Sequence, residues 1–236
     1  MVKLIDTAIC PRRDLRSRVW VWLFVGGVIC QFAGCSLFVM AGKMLFGNPL
    51  NICDFTSQTH VDLIKEEKTI LVICSTPESV KFHWPSLDFD ILEGVSRNLT
   101  KNDIKVVKLD KVAKWVDENG GEFEHPSELA AEFDADYIIH IDLNQFSYHE
   151  EHSNTLFRGR ATGNVMAYRV VKSKDEDKRS TQTLQVFSQE FNSEYPTLQP
   201  IPKEQITEKS FQQLYLEELC EQLARKFYNY RLGDTF

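Results

Sequence analysis

The sequence predicts an α/β (α+β) chain: a mixed sheet of about five strands with a long C-terminal helix packed on it. Three observations predict it. Residues 69–74, TILVIC, form a short continuous apolar run rich in β-branched side chains, the pattern of a strand covered on both faces. Residues 137–150 and 156–171 alternate apolar and polar with period two, as strands do. Residues 204–230 place Leu216, Leu219, Cys220, Leu223, Phe227 and Tyr230 along one side of a long helix.

In chain order, residues 50–68 read as a polar connection ending in Lys65, Glu66, Glu67 and Lys68. After the strand at 69–74, STPESVKFHWPS is a loop. Ser86 can cap a helix over 87–101, in which Leu87, Ile91, Leu92, Val95 and Leu99 make one apolar stripe. DIKVVKLD, 103–110, reads as a second strand, and a strand, a helix and a strand at this spacing suggest a βαβ-type crossover. KVAKWVDENGG, 111–121, is a short helix stopped by Gly120-Gly121, and Ser127 can cap another over 127–133. The strand at 137–150 carries large apolar residues at 137, 139, 141 and 143, then at 146 and 148. That slip of phase near Asn144-Gln145 predicts a bulge or bend.

In the next strand Gly159, Ala161, Gly163, Val165 and Ala167 share one face, small enough for a helix to approach closely. Residues 172–180 form a charged hairpin tip, and 183–191 pairs back. Pro196, Pro200 and Pro202 mark an irregular crossing to the last helix. The order is β-α-β-α-α-β-β-β-α.

The chain has 236 residues and a formal charge of −7. Residues 1–34 hold five basic and two acidic residues, so the remainder, with 22 basic and 32 acidic, stands at −10. An acidic body lacks the clustered cations that neutralise phosphates, which argues against nucleic acid as a partner. The six cysteines include no C-x-x-C pair, so zinc-ribbon and thioredoxin-type readings fail.

Arg12, Arg13, Arg16 and Arg18 precede an uncharged run, the n-region and h-region of an export signal. Phe32-Ala33-Gly34-Cys35 resembles the bacterial lipobox, with Phe32 where Leu is usual. That resemblance implies a signal peptide over 1–34 and lipidation of Cys35 as the first mature residue. The alternative is a transmembrane helix over 19–42, 24 uncharged residues against a hydrocarbon core of about 30 Å. Either anchor places the body on the periplasmic side of the inner membrane. Residues 35–68 would then be a lipid-proximal segment and linker, and 69–236 a single domain.

TILVIC, ILEGVSRNLTKNDIKVVKLDKV and ELAAEFDADYIIHIDL, with the paired strands at 156–171 and 183–191, resemble a known periplasmic domain type. It is shared by the curli-secretion lipoprotein family, the penicillin-binding-protein activator lipoproteins and the N-terminal domain of the Tol-system propeller protein. Phe133-Asp134-Ala135-Asp136-Tyr137 stands where that family turns into its third strand, with Phe-Asp in place of Leu-Gly. Residues 43–49, 85–88 and 156–161 are also similar to blocks in exported bacterial lipoproteins that bring no activity with them. The resemblance implies an assembly or docking module without catalytic residues, and a protein partner in the cell envelope.

The candidate sites are few. Trp84, with Phe82, His83 and Pro85, is an aromatic cluster in a loop, suited to docking, although burial of Trp84 under the next helix is set ahead of that use. Arg158 and Arg160 share the face opposite the small residues and can hold an acidic partner, or form a solvated row. His149-Glu150-Glu151-His152 is the densest set of metal-ligand types, but on a strand 149 and 151 face away from 150 and 152, so no metal or other cofactor is expected. His140 and Asp142 form a polar pair on one face, and Cys74 is a core thiol rather than a nucleophile. The sequence therefore predicts a non-enzymatic, membrane-anchored envelope module; the alternative is a hydrolase or metal-dependent enzyme using polar residues of 140–152.

Overall fold

The computed structural model describes residues 50–119, 125–172 and 181–231. The expected signal peptide, the alternative membrane helix, Cys35, the Gly120-Gly121 stop and positions 173–180 of the hairpin tip lie outside the described residues. The chain divides into two compact units, Leu50–Tyr230 and a second made of residues 1–49 with 231–236; only Arg231 of the second is described.

The elements are β1 (Leu50–Asn51), α1 (Asp54–Thr59), β2 (Thr69–Ser75), α2 (Glu78–Lys81), α3 (Leu87–Lys101), β3 (Lys105–Val106), α4 (Leu109–Glu118) and α5 (Pro126–Glu132). They continue as β4 (Tyr137–His149), β5 (Leu156–Lys172), β6 (Thr181–Tyr195), β7 (Ile201–Pro202), α6 (Glu208–Ala224) and β8 (Tyr230–Arg231). Six strands form one mixed sheet in the order β3-β2-β4-β5-β6, with β7 on β5; β1 and β8 lie outside it. β2 runs parallel to β3 and β4, and β4, β5 and β6 form the antiparallel meander. The predicted mixed α/β class holds, with one more strand in the sheet than expected.

One face of the sheet packs on α3 and α6 through Val72, Ile139, Ile141, Val165, Ile91, Val95 and Leu219. The other packs on α4 and α5 through Leu71, Ile73, Ile138, Val112 and Leu129. β5 alternates as expected: its residues 157, 159, 161, 163, 165 and 167 are buried and those between are half-buried. Gly159 is required there, because a Cβ would stand 2.2 Å from Cγ of Tyr215 on α6. Gly94 on α3 makes the same allowance for Cys220, whose Sγ would lie 2.4 Å from an added Cβ.

The register of β4 shifts between Leu143 and Gln145, where the phase slip predicts a bulge. That extra residue lets Phe146 and Tyr148 join the cluster that already holds Ile139, Ile141 and Leu143.

Four expectations are corrected. Residues 50–68 are not a polar connection: Cys53, Phe55 and Leu63 are buried in the α3–α6 core, and Phe55 is 1% exposed. The strand expected at 103–110 shrinks to Lys105–Val106. Val107 still donates to the Ile70 carbonyl at 2.8 Å, and the chain then turns into α4 at Leu109. The short helix expected over 127–133 starts with Pro126 at its first turn, ahead of Ser127; proline suits that position because its missing N–H would have no partner there. The C-terminal helix is shorter than 204–230. The Thr207 hydroxyl caps its start by accepting from Ser210 N at 3.2 Å. Its end unwinds because Phe227 turns inward onto Phe55 and Phe187, at ring distances of 5.6 and 5.7 Å.

Phe55→Ala is expected to lower the unfolding free energy by about 3–5 kcal/mol, as for a fully buried ring. Denaturant titration checks this; a loss under about 1 kcal/mol would mark 50–68 as a dispensable linker after all.

Candidate functional site

β2 ends at Ser75, and the chain leaves the sheet through Thr76 and Pro77 into the single turn of α2. The loop is folded on itself by backbone bonds: Val80 N to Pro77 O at 2.9 Å, Trp84 N to Val80 O at 2.8 Å and Leu87 N to Trp84 O at 3.2 Å. Val80 is the buried plug. Trp84 is half-buried, edge-on to Tyr148 at 4.7 Å and to Phe146 at 6.3 Å. Both of those rings pack on Tyr215, at 6.0 and 5.7 Å. The expected burial of Trp84 is thus partial, and its contacts lie on β4. Phe82 is 83% exposed, and its ring meets His83 at 5.2 Å. Phe89, on the first turn of α3, is also exposed. A fixed indole beside a projecting phenyl ring is a surface that gains by being covered.

Arg158 and Arg160 lie on the face opposite the small residues, as expected, but their guanidinium groups are engaged within the chain. Arg158 Nη1 donates to Glu194 at 2.7 Å and its Nε lies 2.9 Å from Glu150. Arg160 Nη2 donates to Glu150 at 2.6 Å, with Glu194 and Glu151 each 3.4 Å away. Cross-strand pairing of Arg160 with Glu194 builds this network. The part these arginines were expected to play for an acidic partner gives way to an internal one, a clamp joining the ends of β4, β5 and β6. The hydrogen bond from Arg160 holds the Glu150 carboxyl below its ordinary value.

His149 packs on Phe157 at a ring distance of 5.4 Å, and His152 is exposed in a turn with φ of 60°. With Glu150 committed to the arginines, 149–152 do not converge. Among the described residues, no group of three or more His, Cys, Asp or Glu side chains is placed to hold a metal ion.

One pairing escaped the sequence. Parallel registration of β2 on β4 sets Ser75 beside Asp142 and Ile73 beside His140, and Ser75 Oγ lies 2.8 Å from His140 Nε2. Burial lowers the His140 pKa, and the charge of Asp142 opposes that shift without reversing it. The imidazole is therefore neutral at neutral pH. Cys74 is only partly buried by its exposure, yet its thiol sits among apolar neighbours and is raised well above the ordinary value by burial, with Asp88 adding to the shift. Burial likewise pushes Cys220 up to about 12. Both thiols stay protonated and are poor nucleophiles.

The fold and the site thus define a mixed α/β module with a projecting aromatic loop at the C-terminal end of a central strand. No protein-family model matches the chain, and no curated protein matches it. Solved structures do. The chain is similar to the PelC dodecamer from Paraburkholderia phytofirmans, at 9% identity over 76% of this chain and 94% of that one, with a TM-score of 0.38. It is similar to lipoprotein GNA1162 from Neisseria meningitidis, at 15% identity over 66% and 98%, TM-score 0.33. A minor lipoprotein from Acinetobacter baumannii matches at 11% identity over 70% and 98%, TM-score 0.30. Likeness at this level carries no assignment of ligand or partner.

The Glu150 clamp has a pH signature. Its folded-state pKa is depressed, so its contribution is complete above the unfolded value near 4.5 and is lost as pH falls through the folded value. The difference in thermal midpoint between the parent chain and Glu150→Gln is expected to shrink as pH drops below that value; a constant difference would remove the clamp from the account.

Proposed function

We propose that the chain is a membrane-tethered module of the bacterial cell envelope that binds a protein partner through the 77–86 loop and does no chemistry on it. The observation that carries this reading is Phe82, 83% exposed at the tip of a loop whose neighbouring Trp84 is fixed against Tyr148. A rigid loop presents an apolar side chain at little further entropic cost, which favours docking. The tether is Cys35, lipidated after removal of residues 1–34. Among the described residues no helix is long and apolar enough to cross a membrane.

A photo-crosslinking residue replacing Phe82 in the native envelope is expected to give a discrete adduct. The same residue replacing the exposed Lys101 is expected to give none. Matching patterns at both positions, or no adduct at 82, would end the docking reading. Ester turnover abolished by Ser75→Ala would instead favour the hydrolase alternative, to which the 2.8 Å contact between Ser75 and His140 lends its one observation.

Intact mass of membrane-extracted protein is expected to show a chain that begins at Cys35 with added lipid. An unmodified N-terminus ahead of residue 19 would replace the lipid with a spanning helix.

A further inference from the structure

The two ends of β2 differ in chemistry. At its N-terminal end, away from the aromatic loop, an open groove of about 610 Å3 lies between α4 and the turn leading into β4, with Thr69 at its edge. Its size falls in the range of small-molecule sites, roughly 300–1,000 Å3. Trp115 and Phe133 line it, their rings edge to face at 6.5 Å, together with Val106 and Val107 from the short edge strand and the residue after it. Lys108, Lys111 and Lys114 stand along the α4 wall.

The three lysines fall within seven residues that also hold Asp110, and their engagement is uneven. Lys114 is 3.6 Å from Glu118. Lys108 and Lys111 pair with no carboxylate among the described residues. On the opposite wall Asp134 is already bonded to Lys172, and Glu132 leaves that side negative. The groove therefore offers two ammonium groups with no carboxylate partner among the described residues at one side, aromatic and branched apolar surface along its lining, and a repelling carboxylate across from them. That polarity suits a molecule charged at one end only.

We infer that this groove binds a small organic anion. Its carboxylate, sulfonate or phosphate group lies between Lys108 and Lys111, and its flat apolar body rests on Trp115 and Phe133. An ammonium is a point charge that accepts any of these oxyanions, so the head group is set by charge rather than by bidentate geometry. The apolar body supplies the contact area, and Glu132 sets the orientation. The site shares no residue with the 77–86 loop, so its failure and the failure of the docking reading are separate events.

Calorimetric titration of the full chain in non-ionic detergent with 2-naphthalenesulfonate, corrected against detergent alone, tests this. Saturable binding that weakens as salt is raised is expected. Lys108→Gln/Lys111→Gln is expected to weaken it by about tenfold or more, the scale of one charge-assisted contact. Lys101→Gln, a surface lysine on α3, is expected to leave it unchanged, and neutral 2-naphthol to bind at least about tenfold more weakly than the sulfonate. No saturable heat, equal affinity in the double variant, or equal affinity for the neutral naphthol would overturn the site.

Discussion

The seat of Tyr215 over Gly159 is the contact on which the rest of this structure depends. β5 can accept a helix at that point because Gly159 leaves no Cβ to meet the phenol ring. Tyr215 is fully buried there, and its hydroxyl donates to the Ser193 carbonyl at 3.4 Å, which ties α6 to β6 as well as to β5. Burial pushes the phenol pKa up, so the group remains a neutral donor at any physiological pH. From this ring the packing runs outward through Phe146 and Tyr148 to Trp84. The geometry of the aromatic loop is thus set from the sheet, through four rings. Alternation does the rest: Arg158 and Arg160 flank Gly159 and must face the other way, where the carboxylates of β6 and of the β4–β5 turn meet them.

Much of this is legible in the sequence where a single element dictates its own pattern. The stripe of α3, the period-two faces of β4 and β5, and the slip of phase at Asn144-Gln145 are local signals, and each appears in the structure where the residues place it. What escapes is set by partners distant in sequence. Phe55 lies in a stretch with no regular apolar period, and its place in the core follows from Phe187 and Phe227, which no window around 50–68 contains. Phe227 continues the helical spacing of α6 but leaves the helix to meet it. The contact of Ser75 with His140 needs the parallel register of two strands 65 positions apart. The arginine row shows the same limit from the other side: its face follows from alternation, but its occupancy depends on the cross-strand register that brings Glu194 opposite Arg160.

The aromatic loop illustrates how composition and geometry divide the information. Phe82 and Trp84 are equivalent as sequence, two large rings two positions apart. The turn bonds of residues 77–87 separate them, sending the indole onto β4 and the phenyl ring into solvent. A loop that folded otherwise could exchange their roles, which is why an aromatic cluster suggests docking without saying which ring performs it. The buried plug Val80 and the fixed indole remove the loop's freedom before any partner arrives. An exposed ring on such a support differs from the same ring on a mobile loop, where ordering on contact would offset much of the gain.

The same strand separates two surfaces. β2 is hydrogen-bonded on both sides, to β3 and β4, and its residues Ile70 to Ile73 are buried between the two helical layers. Coupling between sites requires an element with two arrangements of similar free energy. The structure shows one arrangement of this strand, packed between helical layers on both of its faces. The aromatic loop follows its C-terminal end and the groove with Lys108 and Lys111 lies at its N-terminal end. The strand thus carries two chemically different surfaces, an apolar one beyond its C-terminal end and one of mixed charge over aromatic rings at its N-terminal end.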